Sequence, residues 1–369
     1  MDGADFLIIG GGIAGLSAAA RLAAHGRVVV IEAEDALGYH SSGRSVSTSH
    51  YGIGNAVVKA LTLHSRPFFE AQPEGFSDSP IAHLFASLYL AEEENLPLLD
   101  ELAAAMGEVT DAVERLDADG IARLCPVVRT GSGAAIAALN DPTGLKLDAD
   151  ALLQGFARQF RAQGGEIRLG RRVAAIEHKA GQWIVDGNLS APVLVNAAGA
   201  WCDVMAGLAG VTPLGLEPKR RTVIAVDPGT DMAGWPFVHS ITKDFYMLAE
   251  AGQLLVSPVD EVPDDPCDAQ PDDYDIALAA DRLEHYTTLQ VTRIAHRWAG
   301  LRTFTSDRTP TAGFAPDAPG FFWLAGQGGY GLQTAPAMAA AVESLIAGTA
   351  WPLDDVTPAR IAPDRLLAR

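Results

Sequence analysis

Asp5-Phe-Leu-Ile-Ile-Gly10-Gly-Gly12-Ile13-Ala14-Gly15-Leu-Ser-Ala-Ala-Ala-Arg-Leu-Ala-Ala-His-Gly-Arg-Val-Val-Val-Ile-Glu32 opens the chain and decides its fold. An apolar run at residues 7–9, three spaced glycines, an alanine-rich run of helical periodicity and a second apolar run at 28–31 read as strand, tight turn, helix and strand. Each glycine has its own task. Gly10 lets the chain turn sharply, Gly12 lets the backbone approach a pyrophosphate, and Gly15 lets the helix lie close on the strand. The helix start at Ile13 and Ala14 offers unpaired N–H groups and partial positive charge to the phosphates. Glu32, 20 residues beyond Gly12 and followed by Ala33, ends the second strand, where a carboxylate accepts hydrogen bonds from ribose hydroxyls and repels a 2′-phosphate. The unit is a Rossmann-type dinucleotide site.

The rest of the composition is compatible with an ordinary globular enzyme. With 369 residues, 48% of them hydrophobic, the chain can bury a large core, and its length suggests two domains interleaved in sequence. Its 27 basic and 46 acidic residues leave a net charge of -19, which disfavours nucleic acid and anionic membrane surfaces as partners. Cys125, Cys202 and Cys267 are too few and too scattered for a disulfide framework or a zinc site, and an odd count suits a reducing compartment. The first strand begins near residue 5 and no apolar run nears the roughly 18 residues of a spanning helix. A cytoplasmic location is expected, with peripheral membrane contact left open and no metal.

After Glu32, the stretch Gly38-Tyr-His-Ser41-Ser42-Gly43-Arg44-Ser45 is polar and punctuated by glycine. It follows the ribose-binding strand, so its amides and hydroxyls are expected to reach a diphosphate and the next ring system of a large dinucleotide. Residues 55–69 and 96–106 carry helical spacing and 81–90 reads as a strand. This departs from the βαβ pattern and begins a second domain that caps the cofactor. Residues 148–163 read as a helix capped by aspartate, and 166–169, 173–177 and 183–185 as strands. The next strand, 191–196, runs into Ala197-Ala198-Gly199-Ala-Trp201, either a tight strand-to-helix turn or a close-approach site for a cofactor chain. Residues 220–226, 245–248 and 254–259 supply further strands, 273–289 an outer helix, and the proline- and aspartate-rich 260–275 a mobile loop. A strand at 320–325, the turn Gly326-Gln-Gly328-Gly329-Tyr330-Gly331 and a helix at 333–347, beginning with Gln333 and Thr334, close the pattern. The expected architecture is α/β: a Rossmann-type domain from residues 1–80, 145–215 and 295–369, and a smaller α+β domain with a mainly antiparallel sheet from 81–144 and 216–294.

Together with Val193-Leu-Val-Asn-Ala-Ala-Gly-Ala-Trp-Cys202, Gly215-Leu-Glu-Pro-Lys-Arg-Arg221 and Trp298-Ala-Gly-Leu-Arg302, these stretches resemble the FAD-dependent D-amino-acid oxidase superfamily of glycine, sarcosine and D-amino-acid oxidases and dehydrogenases. The D-arginine dehydrogenases are the group it resembles most. The resemblance implies non-covalent FAD and hydride transfer from Cα of a D-amino acid to flavin, giving an imino acid that water hydrolyses to a 2-oxo acid and ammonia. Oxidation of a secondary amine or a 2-hydroxy acid, or service as the FAD subunit of a hetero-oligomer, are the alternatives. Oxygen or a quinone would be the electron acceptor.

The resemblance also assigns residues. It puts Val173 at the adenine edge and Arg302 and Arg221 at the substrate carboxylate, which a guanidinium grips bidentately. Tyr246 either donates to the same carboxylate or packs; the Gly329 carbonyl receives the substrate amine, and Gln333 lines the pocket by the flavin. Ser87 stands where the D-arginine enzymes carry an acid facing the substrate guanidinium. Their histidine and tyrosine fall on Thr48 and Ile53, with His50 and Tyr51 close by, and His239 replaces an apolar pocket residue. Loss of an acid and gain of imidazoles argue for a neutral polar or acidic side chain on the substrate, the alternative being that His50 and His239 are ordinary hydrogen-bonded histidines. The expected catalytic set is Tyr246, Arg302, Arg221 and His50.

Overall fold

In the computed structural model, which describes residues 2–367, six strands form one sheet in the order Glu166–Arg168, Val28–Ile31, Phe6–Ile9, Val193–Asn196, Phe321–Ala325, Thr311–Phe314. All neighbours are parallel except the last pair. The apolar character of the central strands Val28–Ile31, Phe6–Ile9 and Phe321–Ala325 follows from burial on both faces. Ile8, Val28, Val30 and Val195 point to one side, where the helices Ile13–Leu22, Ala149–Ala162 and Gly331–Ala347 pack. Leu7, Ile9, Val29 and Leu194 point to the other, against Trp183, Val185, Leu189, Cys202 and Met205. Ala18, Ala19 and Ala20 let the first helix settle deeply into its side. At Gly15 a Cβ would collide with the Gly10 carbonyl, so only glycine allows that approach.

A nine-stranded sheet forms the second layer, antiparallel except where Phe237–Ser240 runs parallel to Ser87–Ala91. Its spine is the ten-residue strand Glu217–Val226, paired over most of its length with Ile294–Phe304 and carrying Gln253–Ser257 on the other side. Alternation puts Leu88, Val238, Ile224 and Val256 into a core beneath the helix Asp273–Tyr286, while Tyr89, His239, Tyr246 and Val223 face the opposite way. The cleft opens beyond the carboxyl ends of Phe6–Ile9, Val193–Asn196 and Phe321–Ala325, where open parallel sheets bind ligands.

Four expectations change. Residues 81–90 are two strands in different sheets, Ala82–Leu84 and Ser87–Ala91, because Phe85 turns into the cluster around Tyr246 and Phe237. Residues 191–196 are likewise two strands, interrupted at Pro192, which has no N–H to give a ladder. The strand expected at 173–177 begins only at Ile176, leaving Val173 free of any ladder. The 260–275 segment is tied down: Val262–Pro263 pairs with the Glu217–Val226 strand, and Arg44, Arg220, Arg221 and Arg308 all bond to the segment. Among the described residues no helix is long and apolar enough to cross a membrane.

Candidate active site

Two cavities of about 820 Å³ and 930 Å³ share Gly12, Ser41, Ser42, Ala197 and Gly199 in their walls and so form one long cleft. In the smaller, Gly10, Ala33, Val173, Ala198 and Trp201 surround Glu32. The Glu32 carboxylate accepts from the Gly11 N–H at 2.6 Å and the Glu34 N–H at 2.9 Å, one bond to each oxygen. Each oxygen keeps a further lone pair, the acceptor capacity two ribose hydroxyls require. Ser42 Oγ accepts from the Ile13 N–H at 3.0 Å, so the polar loop caps the first helix and is held over its N-terminus.

The cleft fits a dinucleotide by what it leaves vacant. Gly12 has only Ser42 Oγ, at 3.3 Å, near the place of a Cβ, and Gly199, at φ +57°, has nothing within 4 Å. Ile13, Ala14, Ser45, Gly328, Gly329 and Gly331 line the larger cavity, and Gln327 there carries a buried amide nitrogen with no hydrogen-bond partner among the described residues. Arg44 also borders it, but its guanidinium is spent on the carbonyls of Tyr39, Ala269 and Ala299 and on Asp268. It fastens the 260–275 segment to the cofactor loop.

Arg302, Arg221 and Tyr246 converge on the same cavity. Among the described residues the Arg302 guanidinium has no ion-pair partner, and the Gly329 backbone leaves no room for a Cβ beside it, whose site lies 2.7 Å from Nη1. Arg221 is 5% exposed; its Nε donates to the Asp260 carbonyl at 2.8 Å, and its Nη2 reaches Glu261 at 3.5 Å. Burial, then the charge of Arg302, pushes its pKa down to about 10. The preceding Val259 sits at φ +56°, a costly conformation for a β-branched residue, and the turn it makes presents Asp260 and Glu261 to Arg221. The Tyr246 hydroxyl is buried with no hydrogen-bond partner among the described residues.

Other residues singled out in the sequence stand behind these walls. His50 and His239 form an aromatic layer with Phe237, Tyr89 and Tyr246, the two imidazoles 5.1 Å apart. His50 Nδ1 is hydrogen-bonded to the Tyr89 hydroxyl at 2.6 Å. Burial and Arg302 push the His50 pKa down to about 3, and burial with His50 and Arg302 puts His239 well below its ordinary value. Gln333 is turned from the cavity, its amide donating to Thr62 Oγ1 at 2.7 Å and accepting from the His50 N–H at 3.4 Å.

Several placements correct the sequence reading. Tyr51 packs with Leu99, Met106 and Leu139 on the far side of Tyr89, because its neighbour His50 takes the inward position. Thr48 lies in a two-residue strand against Lys146, and Ser87 is paired across strands with Asp141 and Phe237, outside both cavities. Tyr330 packs on Phe304 and donates to the Arg308 carbonyl at 3.0 Å; Thr334 spends its hydroxyl on the Tyr330 carbonyl at 2.9 Å. Gly15 and Gly43 shape the backbone behind the cleft, where a Cβ on either would press on a carbonyl.

Sequence reasoning missed Val46, Val223, Leu301 and Thr303 in the larger cavity and Arg171, Arg172 and His40 in the smaller. Gly300, Leu301, Arg302 and Thr303 all line the larger cavity, so alternation along 298–304 could not have separated the missed residues from those singled out. The Leu301 carbonyl, which accepts from Ser41 Oγ at 2.6 Å, had no signal in the sequence.

Residues 5–345 match the family model described as DAO, FAD dependent oxidoreductase. The chain is 26% identical over 400 residues to FAD-dependent oxidoreductase domain-containing protein 1 of Bos taurus, covering 93% of itself and 81% of that protein. It is also 26% identical to the tRNA 5-methylaminomethyl-2-thiouridine biosynthesis bifunctional protein MnmC of Burkholderia orbicola, covering 98% of itself but only 60% of that relative. L-proline dehydrogenase from P. horikoshii shares the fold at a TM-score of 0.84 and 21% identity, covering 97% of this chain and 98% of that one. The cleft, its glycine cradle and the Glu32 acceptor agree with that match: the chain belongs to the DAO family of FAD-dependent oxidoreductases.

Proposed function

We propose that the protein oxidises the Cα–N bond of an amino acid bearing a free α-carboxylate, a D-amino acid by its resemblance, releasing an imino acid that water hydrolyses to a 2-oxo acid and ammonia. The observation that carries this reading is the convergence of an unpaired Arg302, a buried Arg221 and the partnerless Tyr246 hydroxyl on one cavity. A half-buried Arg302 with no ion-pair partner among the described residues calls for a ligand carboxylate, and a carboxylate accepting from Arg302 and Tyr246 would be held rigidly.

FAD, when bound, accepts the two electrons as hydride. Gly10, Gly12, Glu32, Ser42 and Gly199 are the residues to hold its adenosine diphosphate and ribityl portions, and Ser45, Gly328, Gly329 and Gly331 those to border its ring. Arg302, Arg221 and Tyr246 hold the substrate, and the Gly329 carbonyl is the acceptor for its amine. His50 and His239 are neutral and take no proton at physiological pH, so they order the pocket and exclude water. A secondary amine with a carboxylate would satisfy the same grip, and the name of the proline-oxidising structural relative keeps that reading in view.

The test is anaerobic titration of the yellow protein with D- and L-amino acids, N-methyl amino acids and 2-hydroxy acids, followed by flavin absorbance and ammonia release. Bleaching with ammonia release by one stereochemical series of amino acids is the expected result. Bleaching by hydroxy acids alone, or by amines that lack a carboxylate, would overturn the proposal. Readmitting oxygen or adding a quinone analogue then identifies the acceptor.

A further inference from the structure

The carboxylate grip accounts for Arg302, Arg221 and the Tyr246 hydroxyl but leaves the rest of that wall unassigned. Val46 and Val223 line the same cavity. Val223 follows Arg221 by two positions in the strand Glu217–Val226, so both side chains stand on one face, opposite Trp298 and Gly300 in the neighbouring strand. With Tyr246 the two valines belong to one apolar cluster, backed by Phe237, Leu248 and Leu255 and partly covered by Phe85 and Trp298. The end of the cavity that carries the grip therefore opens onto aliphatic side chains and rings.

The polar groups of the cavity are taken up elsewhere. Ser41 Oγ donates to the Leu301 carbonyl at 2.6 Å, while Ser42 Oγ accepts from the Ile13 N–H and Ser45 Oγ from the Ser47 N–H, both at 3.0 Å. Thr303 follows Arg302 and so points to the other face of its strand, with its carbonyl on the Gly328 N–H at 2.8 Å, at the glycine turn. Among the described residues no aspartate or glutamate lines this cavity, so a cationic side chain would be buried there without a counter-ion. A second carboxylate fares no better: the first occupies Arg302, and Arg221 already has Glu261 at 3.5 Å and Asp260 at 3.8 Å. An apolar side chain is what this wall can strip of water without leaving a polar group unpaired.

We propose that the substrate is an amino acid with an apolar side chain, seated against Val46 and Val223, and that Val223 is a residue setting this preference. The inference rests on the carboxylate reading above and adds the class of side chain. It departs from the polar or acidic side chain expected from the sequence, because His50 and His239, on which that expectation stood, line neither cavity.

The test compares kcat/KM of the FAD-loaded enzyme on near-isosteric pairs, valine with threonine, leucine with asparagine and norleucine with lysine, in both enantiomeric series, with aspartate and glutamate alongside. The wild-type enzyme should favour the apolar member of each pair, valine over threonine by about ten- to a hundredfold. Val223→Thr, which puts a hydroxyl on the wall at nearly constant volume, should lower that ratio by about threefold or more, whereas Val223→Ile should keep the ratio and shift the preferred chain from leucine towards alanine. An unchanged ratio in Val223→Thr overturns the proposal, and a displaced flavin absorbance spectrum in that variant would then put Val223 against the ring instead of the substrate. A wild-type preference for the polar or charged members overturns it as well. Should Val223→Thr lose its flavin, the wild-type and Val223→Ile results still decide. Bleaching only by polar or charged amino acids would refute this inference and spare the carboxylate reading; bleaching by no carboxylated amine would remove both.

Discussion

Arg302→Met is the sharpest probe of the carboxylate grip. The guanidinium lines the cavity with no counter-ion among the described residues, so its removal breaks no internal pair and its effect falls on the ligand. Each hydrogen bond to a charged group is worth about 1.5–3 kcal/mol, and stripping one partner from a buried ion pair costs about 3–5 kcal/mol. At about 1.4 kcal/mol per tenfold, kcat/KM for a carboxylated substrate should fall by about 10²–10⁴. A second effect has the opposite sign. Arg302 is, after burial, the main cause of the low pKa of Arg221, so its removal lets Arg221 stay protonated to higher pH. The basic limb of the residual kcat/KM profile should therefore move upward from the region of pH 10. Anaerobic stopped-flow bleaching with matched FAD content separates binding from flavin loss. If kcat/KM stays within about threefold of wild type, or falls equally for an amine without a carboxylate, Arg302 is not the handle.

Gly12→Ala places a methyl beside Ser42 Oγ at 3.3 Å, in open cleft rather than in backbone; FAD retention on gel filtration should fall by tenfold or more while apo-protein Tm stays within about 2 °C, and a fully loaded variant would refute the pyrophosphate role. His50, with a folded pKa of about 3, and His239, also depressed, protonate more readily when unfolded, so their stability contribution is full above pH 6.5 and falls away below it, that of His50 being lost as pH approaches 3. Urea midpoints between pH 6.5 and 5 should show it, at up to about 1.4 kcal/mol per pH unit for each histidine, and a His50→Gln, His239→Leu double variant should flatten that slope. Glu261→Gln loosens Arg308 and Arg221 and should raise KM by up to about fivefold, an exposed ion pair being worth about 1 kcal/mol. It should also move the basic limb downward, because Glu261 supports the charge of Arg221; an upward shift would contradict the geometry.

Much of the fold was legible because the parallel sheet is built by local rules. Residues 5–32 contain a complete strand, turn, helix and strand, and the apolar runs at 193–196 and 321–325 have few alternatives to burial on both faces. What escaped depended on tertiary partners. The break at Phe85 is set by a cluster drawn from five separate segments, and the restraint of residues 260–275 by arginines up to about 220 residues away. In the site, Glu32 was marked by motif spacing, and Arg221, Arg302 and Tyr246 by the family resemblance. The inward turn of His50 and outward turn of Tyr51 were not, because two adjacent residues after a two-residue strand carry no periodicity from which to choose a face. Gln333 was misread for a related reason: its helix faces the cleft, but Thr62 and the His50 backbone take up its amide.

The strand Val193–Asn196 lies between Phe6–Ile9 and Phe321–Ala325, which has a consequence for synthesis. On a ribosome adding about 5–20 residues per second, it emerges some 6–25 s before its second neighbour, roughly 125 residues further along. For that interval one edge of a mostly apolar strand is unpaired, a state prone to wrong pairing and aggregation. The glycine turn at 326–331, one wall of the flavin cleft, is made later still. A fragment ending before residue 321 therefore lacks both the strand that covers this edge and the glycine turn that completes the cleft.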